Sequence, residues 1–278
     1  MTAFVYGKLD PHSEETHPRV KLSDHLLPVE TPEVVDWASA VASWPEYMNN
    51  SIGDCTCAAL GHALQAWTTY GKGETVTLPD DAILSLYEAV SGYNPKTGAN
   101  DNGAVEQDVL TYVQKNGIGG HKIRAFAQVD HTKPSEMKRA LELFGTVYLG
   151  MKVPKSAEVE FQAGQPWQNI GDQQILGGHA IDLQKFDADY MYVVTWGKLQ
   201  PMTVDFWTTY GDEAWVIITD DWLNANGEDP EGLDLQQLLS EFDFITHGPL
   251  QQKKGCNLIG GWWISRFSKK SSHPKHAK

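Results

Sequence analysis

Cysteine is scarce in this chain of 278 residues, which holds only Cys55, Cys57 and Cys256. An odd number, with the first two one residue apart, excludes a disulfide framework as the basis of the fold. Long apolar runs are missing as well. No stretch reaches about 18 apolar residues, and the start MTAFVYGKLDPHSEETHPRV lacks the basic opening and apolar run of an export signal. These absences predict a reducing, cytoplasmic setting and no transmembrane segment. Positive charge is thin too: 22 Lys and Arg stand against 36 Asp and Glu, and the net charge of −14 divides into +7 from Gln251 onward and −21 before it. A body that acidic repels nucleic acid and anionic lipid, so only the tail is suited to meet either. No internal repeat is visible. What is present, 41% hydrophobic residues, ten tryptophans and a mean hydropathy of −0.38, fits a globular chain that buries a substantial core.

Residues 1–33 carry scattered Pro, His and Glu without periodicity, which predicts an extended arm over the domain that holds no chemistry. In CTCAALGHALQAW, Leu60, Ala63, Leu64 and Trp67 stand at i, i+3, i+4 and i+7, the stripe of a core-facing helix. Gly53 and Asp54 before it offer a turn and a capping carboxylate, placing Cys55 at the helix start. A second helix opens at Leu78-Pro79-Asp80-Asp81 and runs to about Val90. A third carries Val105, Val109, Leu110 and Val113 and closes at Asn116-Gly117, and a fourth spans Ser135 to Phe144. The texture then changes to β-rich runs at 146–153, 179–184, 190–196 and 214–219. Helices first and strands later, without βαβ alternation, predict an α+β fold.

A thiol at a helix N-terminus faces unpaired N–H groups and the positive end of the dipole, which favour the nucleophilic thiolate; the alternative is a small buried hydrophobe. The nucleophile also needs a base. His62, seven residues on, lies roughly 10 Å away along the axis, too far for a hydrogen bond. His179, in GGHAIDL, follows two glycines and begins a predicted strand, a rigid place to hold an imidazole. Cys57 lacks the further ligands a zinc site needs, and the loop ending at Gly103 has Gly98 where a calcium loop needs an acid. No metal or other cofactor is expected.

Six segments in order carry a resemblance: VDWASAV (35–41), NNSIGDCTCAAL (49–60), GAVEQDVLTYVQKNGI (103–118), MKRALELFGTVYLGMKV (137–153), GGHAIDL (177–183) and YVVTWGK (192–198). Together they resemble the papain-like cysteine peptidases over residues 35–220. The resemblance implies a helical half with the Cys helix packed against an antiparallel β-rich half, and no metal. It assigns Cys55 as nucleophile and His179 as general base, with Asn49, or else Asn50, supplying the oxyanion-hole amide beside the Cys55 N–H. Where the family orients its His with an Asn before a Trp-Gly turn, this chain reads Val194-Thr195-Trp196-Gly197. Thr195 can accept from the imidazole, Val194 cannot, and Asp182 and Asp205 are substitutes. Trp196 would shield the His. Substrate would lie between the Cys helix and the β-rich half, against Gly53, Asp54, Asn102, Gly103, Gly178 and Trp196, with loop 94–103 facing it.

The implied chemistry is hydrolysis of a peptide or peptide-like amide or ester through a thioester acyl-enzyme. Two other readings stay open: a peptidoglycan peptide or other non-protein amide as substrate, or a non-catalytic scaffold, for instance an assembly component of a phage particle, which would place it in a virion. Beyond the arm (1–33) and the papain-like domain (34–222), residues 223–250 form an acidic loop and a helix with Leu235, Leu238, Leu239 and Phe242 on one face. Residues 251–278 form a basic tail with an apolar decamer, Leu258 to Phe267, suited to covering the acidic body, docking a protein partner or touching a membrane surface.

Overall fold

All thirteen residues of helix α1 (Cys55–Trp67) are buried, not only the stripe that its periodicity marks. In the computed structural model, which describes residues 4–17, 19–22 and 32–230, α1 runs through the middle of the helical half. Small residues allow this: a Cβ on Gly61 would stand 2.8 Å from the Tyr47 ring and 2.9 Å from Ile83. Its neighbours are α2 (Asp80–Ser91) and α3 (Glu106–Asn116), which begin and end within two residues of the positions expected from their acids and terminal glycines.

The β-rich half is an antiparallel sheet in the order β2 (Ile123–Gln128), β7 (Gly211–Thr219), β3 (Val147–Pro154), β4 (Ile175–Phe186), β5 (Met191–Thr195) and β6 (Lys198–Met202); the two-residue β1 (Val35–Asp36) adds to the far end of β4. Alternation along the strands divides the apolar residues between two cores. Leu149, Ile181 and Val216 point to the side covered by α4 (Pro134–Phe144), α5 (Lys155–Gln162) and α6 (Val204–Tyr210), whereas Tyr148, Ala180, Trp215 and Ile217 point to α1 and its neighbours. The fold is α+β, with the Cys55 helix packed on an antiparallel sheet.

Three tryptophans tie these layers at one place. The last turn of a helix leaves carbonyls short of partners, and in α4 indole N–H groups supply them: Trp67 to Phe144 at 2.9 Å and Trp222 to Leu143 at 3.0 Å, while Trp37 donates at 2.9 Å to Leu141, which also accepts from the Gly145 N–H. Gly145, at φ +75°, ends α4 in the left-handed region, and a side chain is excluded there because a Cβ would lie 2.5 Å from the Trp222 ring. Trp222 and Leu223 are buried against the body. The expected helix around Leu235 and the apolar decamer Leu258 to Phe267 lie outside the described residues.

Candidate active site

Cys55 and His179 come from opposite halves, on the two elements that abut where the N-terminus of α1 reaches β4. The Cys55 sulfur accepts a hydrogen bond from the Ala180 N–H at 3.4 Å, so it sits one residue along the strand from the imidazole. His179 Nε2 is 2.7 Å from Thr195 Oγ1. Strand geometry explains that pairing: Asp182 is opposite Val194, which makes Thr195 the diagonal, same-face neighbour of His179, within reach of a side chain. Asp182 and Val194 project to the other face, and the Asp182 carboxylate accepts from Gln184. Asp205 is exposed on α6. Neither acid serves the imidazole, because strand alternation and helix position take them elsewhere.

Trp196 covers the ring, its plane 18° from that of His179 with centroids 4.5 Å apart. It occupies an unusual backbone position. Trp196 and Gly197, at φ +42° and +72°, are the two residues joining β5 to β6, and a two-residue hairpin favours positive φ at both. A bulky residue is held there only by surrounding packing.

The arm, expected to lie over the domain apart from any site, packs directly against the candidate residues. Phe4 stacks on Trp196 at 4.1 Å, and Tyr6 meets the His179 ring edge-on at 6.1 Å while its hydroxyl donates to Glu158. Gly7 lies against Gly53, two residues before Cys55. Backbone bonds run from Ala104 N to Gly7 O (2.8 Å), from Leu9 N to Ala104 O (3.0 Å) and from Lys8 N to Gly178 O (3.0 Å). The slot depends on glycine: a Cβ on Gly103 would lie 1.9 Å from Gly7 O, and one on Gly178 would lie 2.3 Å from Lys8 O. Gly53, Gly103, Gly178 and Trp196 thus converge on the arm. Asn102 is exposed, and Ala104 takes the backbone contact in its place.

Asp54 departs from its expected roles. Its side chain makes no capping hydrogen bond, it is fully buried, and burial pushes its carboxyl up to about 8. Asn49 is buried with no partner for Oδ1, just after the left-handed pair Tyr47 and Met48. The Asn50 amide is committed to Glu46. His62 donates from Nε2 to the Pro45 carbonyl at 2.8 Å and is held apart from the thiol's chemistry. Among the described residues, His12, His17 and Asp108 form a group with metal-ligand spacing; its His12 to Asp108 contact at 2.9 Å joins the arm to α3.

Cys55, His179, Thr195 and Trp196 are each at most 1% exposed. Burial pushes the Cys55 thiol up to about 12 and the His179 imidazole down to about 3. Desolvation therefore outweighs the helix dipole in the covered site, and the pair rests as thiol and neutral imidazole. No hydrogen bond joins sulfur to ring; Nδ1 of His179 is buried without a partner.

No family model and no curated protein matches the sequence. Solved structures do. Xylellain, a cysteine protease from Xylella fastidiosa, aligns with a TM-score of 0.58 at 17% identity, covering 78% of this chain and 96% of its own. Digestive procathepsin L 3 of Tenebrio molitor larval midgut aligns at 0.52 with 14% identity over 77% and 83%. Bromelain from Ananas comosus, solved with the E64 inhibitor, aligns at 0.50 with 15% identity over 67% and 99%. The fold is that of the papain-like cysteine proteases.

Proposed function

We propose that the chain is a cysteine-dependent hydrolase of peptide-like amides or esters, held latent by its own N-terminal arm. The observation that carries this reading is the seat of Cys55: a helix N-terminus whose sulfur meets the strand beside a hydroxyl-bonded imidazole. With the arm displaced, water returns to both groups and the dipole favours thiolate. The Cys55 proton passes to Nδ1 of His179, sulfur adds to the substrate carbonyl, and the C–N or C–O bond breaks as the imidazolium protonates the leaving group. Water, deprotonated by His179, then cleaves the thioester and restores the thiol. The Cys55 N–H and the Asn49 amide are suited to the transient oxyanion. Thr195 keeps Nε2 occupied, so that Nδ1 takes the proton from sulfur.

A second reading, a non-catalytic scaffold of the same fold, is favoured by one observation: Nδ1 of His179 and the sulfur are not bonded to each other. The discriminating experiment is hydrolysis of a fluorogenic peptide library by full-length protein carrying Tyr6→Ala to loosen the arm. Turnover that disappears with Cys55→Ser and with His179→Ala supports the hydrolase. A folded Tyr6→Ala protein whose Cys55 alkylates readily yet turns over no peptide supports the scaffold.

A further inference from the structure

Lys8 is the arm's most deeply committed side chain. Its ammonium, 1% exposed, lies 3.0 Å from both Asp212 Oδ1 and Glu213 Oε1 and donates to the Leu9 carbonyl. Glu213 is fully buried and is held in place by the Trp215 indole, which donates to its other oxygen at 3.0 Å. The acidic wall of Asp212 and Glu213, with the fully buried Glu106 behind it, outweighs desolvation and holds Lys8 above the usual lysine range, while burial raises the Glu106 carboxyl itself. Gly150 opens the pocket: a Cβ there would stand 2.0 Å from Lys8 Cε and 2.8 Å from Glu213 Cγ.

Such a wall does not suit an empty pocket. Two fully buried carboxylates with a third at the rim repel one another, and without a cation they must take up protons or water. The shape admits a long unbranched chain, and the position is fixed relative to His179, since the Lys8 N–H donates to Gly178 O while Gly7 and Leu9 on either side bond to Ala104. Surface charge complementarity alone would not need a glycine at the mouth or an indole bracing the acid. We infer that the pocket of Glu106, Asp212, Glu213 and Gly150 is a subsite for a lysine or arginine side chain of an extended peptide substrate, with Lys8 as its resting occupant. The inference rests on the hydrolase reading for the word substrate, and on the pocket alone for its preference for a cation.

The test uses full-length protein with Lys8→Ala, which empties the pocket. Fluorescent peptides carrying lysine, arginine or norleucine at each of the positions flanking the cleaved bond are assayed for binding by anisotropy and for cleavage. The expected result is binding about tenfold or more tighter for lysine or arginine than for norleucine at one position. Adding Glu213→Gln abolishes that preference, whereas Asp189→Asn, on the exposed surface, leaves it. Because a carboxylate variant can fail to fold, a second measurement leaves the pocket intact: Lys8→Arg keeps Cys55 alkylation as slow as in the unaltered chain, and Lys8→Met raises it. Cleavage without basic preference overturns the subsite and leaves the hydrolase. Basic-selective binding without any cleavage supports the pocket and overturns the hydrolase. Equal binding of norleucine and lysine, or equal alkylation of the Arg and Met variants, overturns the subsite.

Discussion

The Thr195 hydroxyl stands 2.7 Å from Nε2 of His179. A hydroxyl can donate or accept, so it restrains the ring without fixing its tautomer as firmly as a carboxylate would. Thr195→Val in the arm-loosened protein is expected to lower kcat/KM by about tenfold, roughly 1.4 kcal/mol of transition-state stabilisation. Thr195→Ser should restore most of it. Steady-state kinetics on the three proteins check this, and a Val variant as active as the parent would remove Thr195 from the mechanism.

Arm displacement should be visible at the sulfur. In the unaltered chain Cys55 is fully buried with its thiol pushed up to about 12, so iodoacetamide near pH 7 should modify it far more slowly than a free thiol of pKa about 8.5. Gly178→Ala puts a methyl 2.3 Å from the Lys8 carbonyl without left-handed strain, and should raise the rate by about tenfold or more as the arm is expelled. Mass spectrometry of the Cys55 peptide separates this site from Cys57 and Cys256. An unchanged rate in a folded Gly178→Ala protein contradicts the plug.

Trp196 joins the arm, the imidazole and the larger core, stacking on both Phe4 and His179. Trp196→Ala should cost about 3–5 kcal/mol of stability, the usual range for deleting a buried aromatic. The left-handed backbone strain remains with Ala, so no relief offsets the loss. Urea denaturation gives the value; a loss below about 1 kcal/mol would mean the ring is poorly packed.

Stability should fall on both sides of neutrality. His179 and His62 have folded-state values lowered by burial to about 3 and about 4. The unfolded chain therefore binds more protons below about pH 6.5, and stability drops as pH falls toward those values. Asp54 works in the opposite sense. Its carboxyl is raised to about 8, so its contribution is intact below the ordinary carboxylate range and is lost as pH rises toward 8. Urea midpoints across this range should show a maximum between the two limbs. Asp54→Asn should flatten the fall above about pH 6.5 and steepen the acid limb, where the raised carboxyl opposes the histidines, and His62→Gln should make the acid limb shallower. An alkaline limb unchanged by Asp54→Asn would show that the carboxyl is not buried as described.

The short elements that escaped sequence reading share a cause. β6 is a five-residue edge strand with a proline and a buried glutamine, and α5 and α6 are only two turns long, so none offers a sustained period to detect. Local pattern was enough where the signal was local. The periodicity around Leu60 and Trp67, the glycines after Asn116 and Phe144, and the apolar run at 147–153 correspond to observed elements because propensity and burial agree there.

Residue order also made Cys55, His179 and Thr195 legible as candidates, since a resemblance spread over six ordered segments survives changes between them. Contacts between distant segments were not legible. Nothing in FVYGKLD marks a strip that crosses the sulfur, and nothing near Asp212 or Gly150 marks a slot for Lys8. Side-chain direction decided the rest: the pleat sent Thr195 toward the imidazole and Asp182 away from it, and packing turned Asp54 from a helix cap into a buried acid. Chain order alone therefore determined which groups are the candidates for chemistry and where the main helices begin. Their solvation, and with it the present protonation of thiol and imidazole, belongs to the tertiary structure, because desolvation is set by neighbours that sequence distance does not reveal.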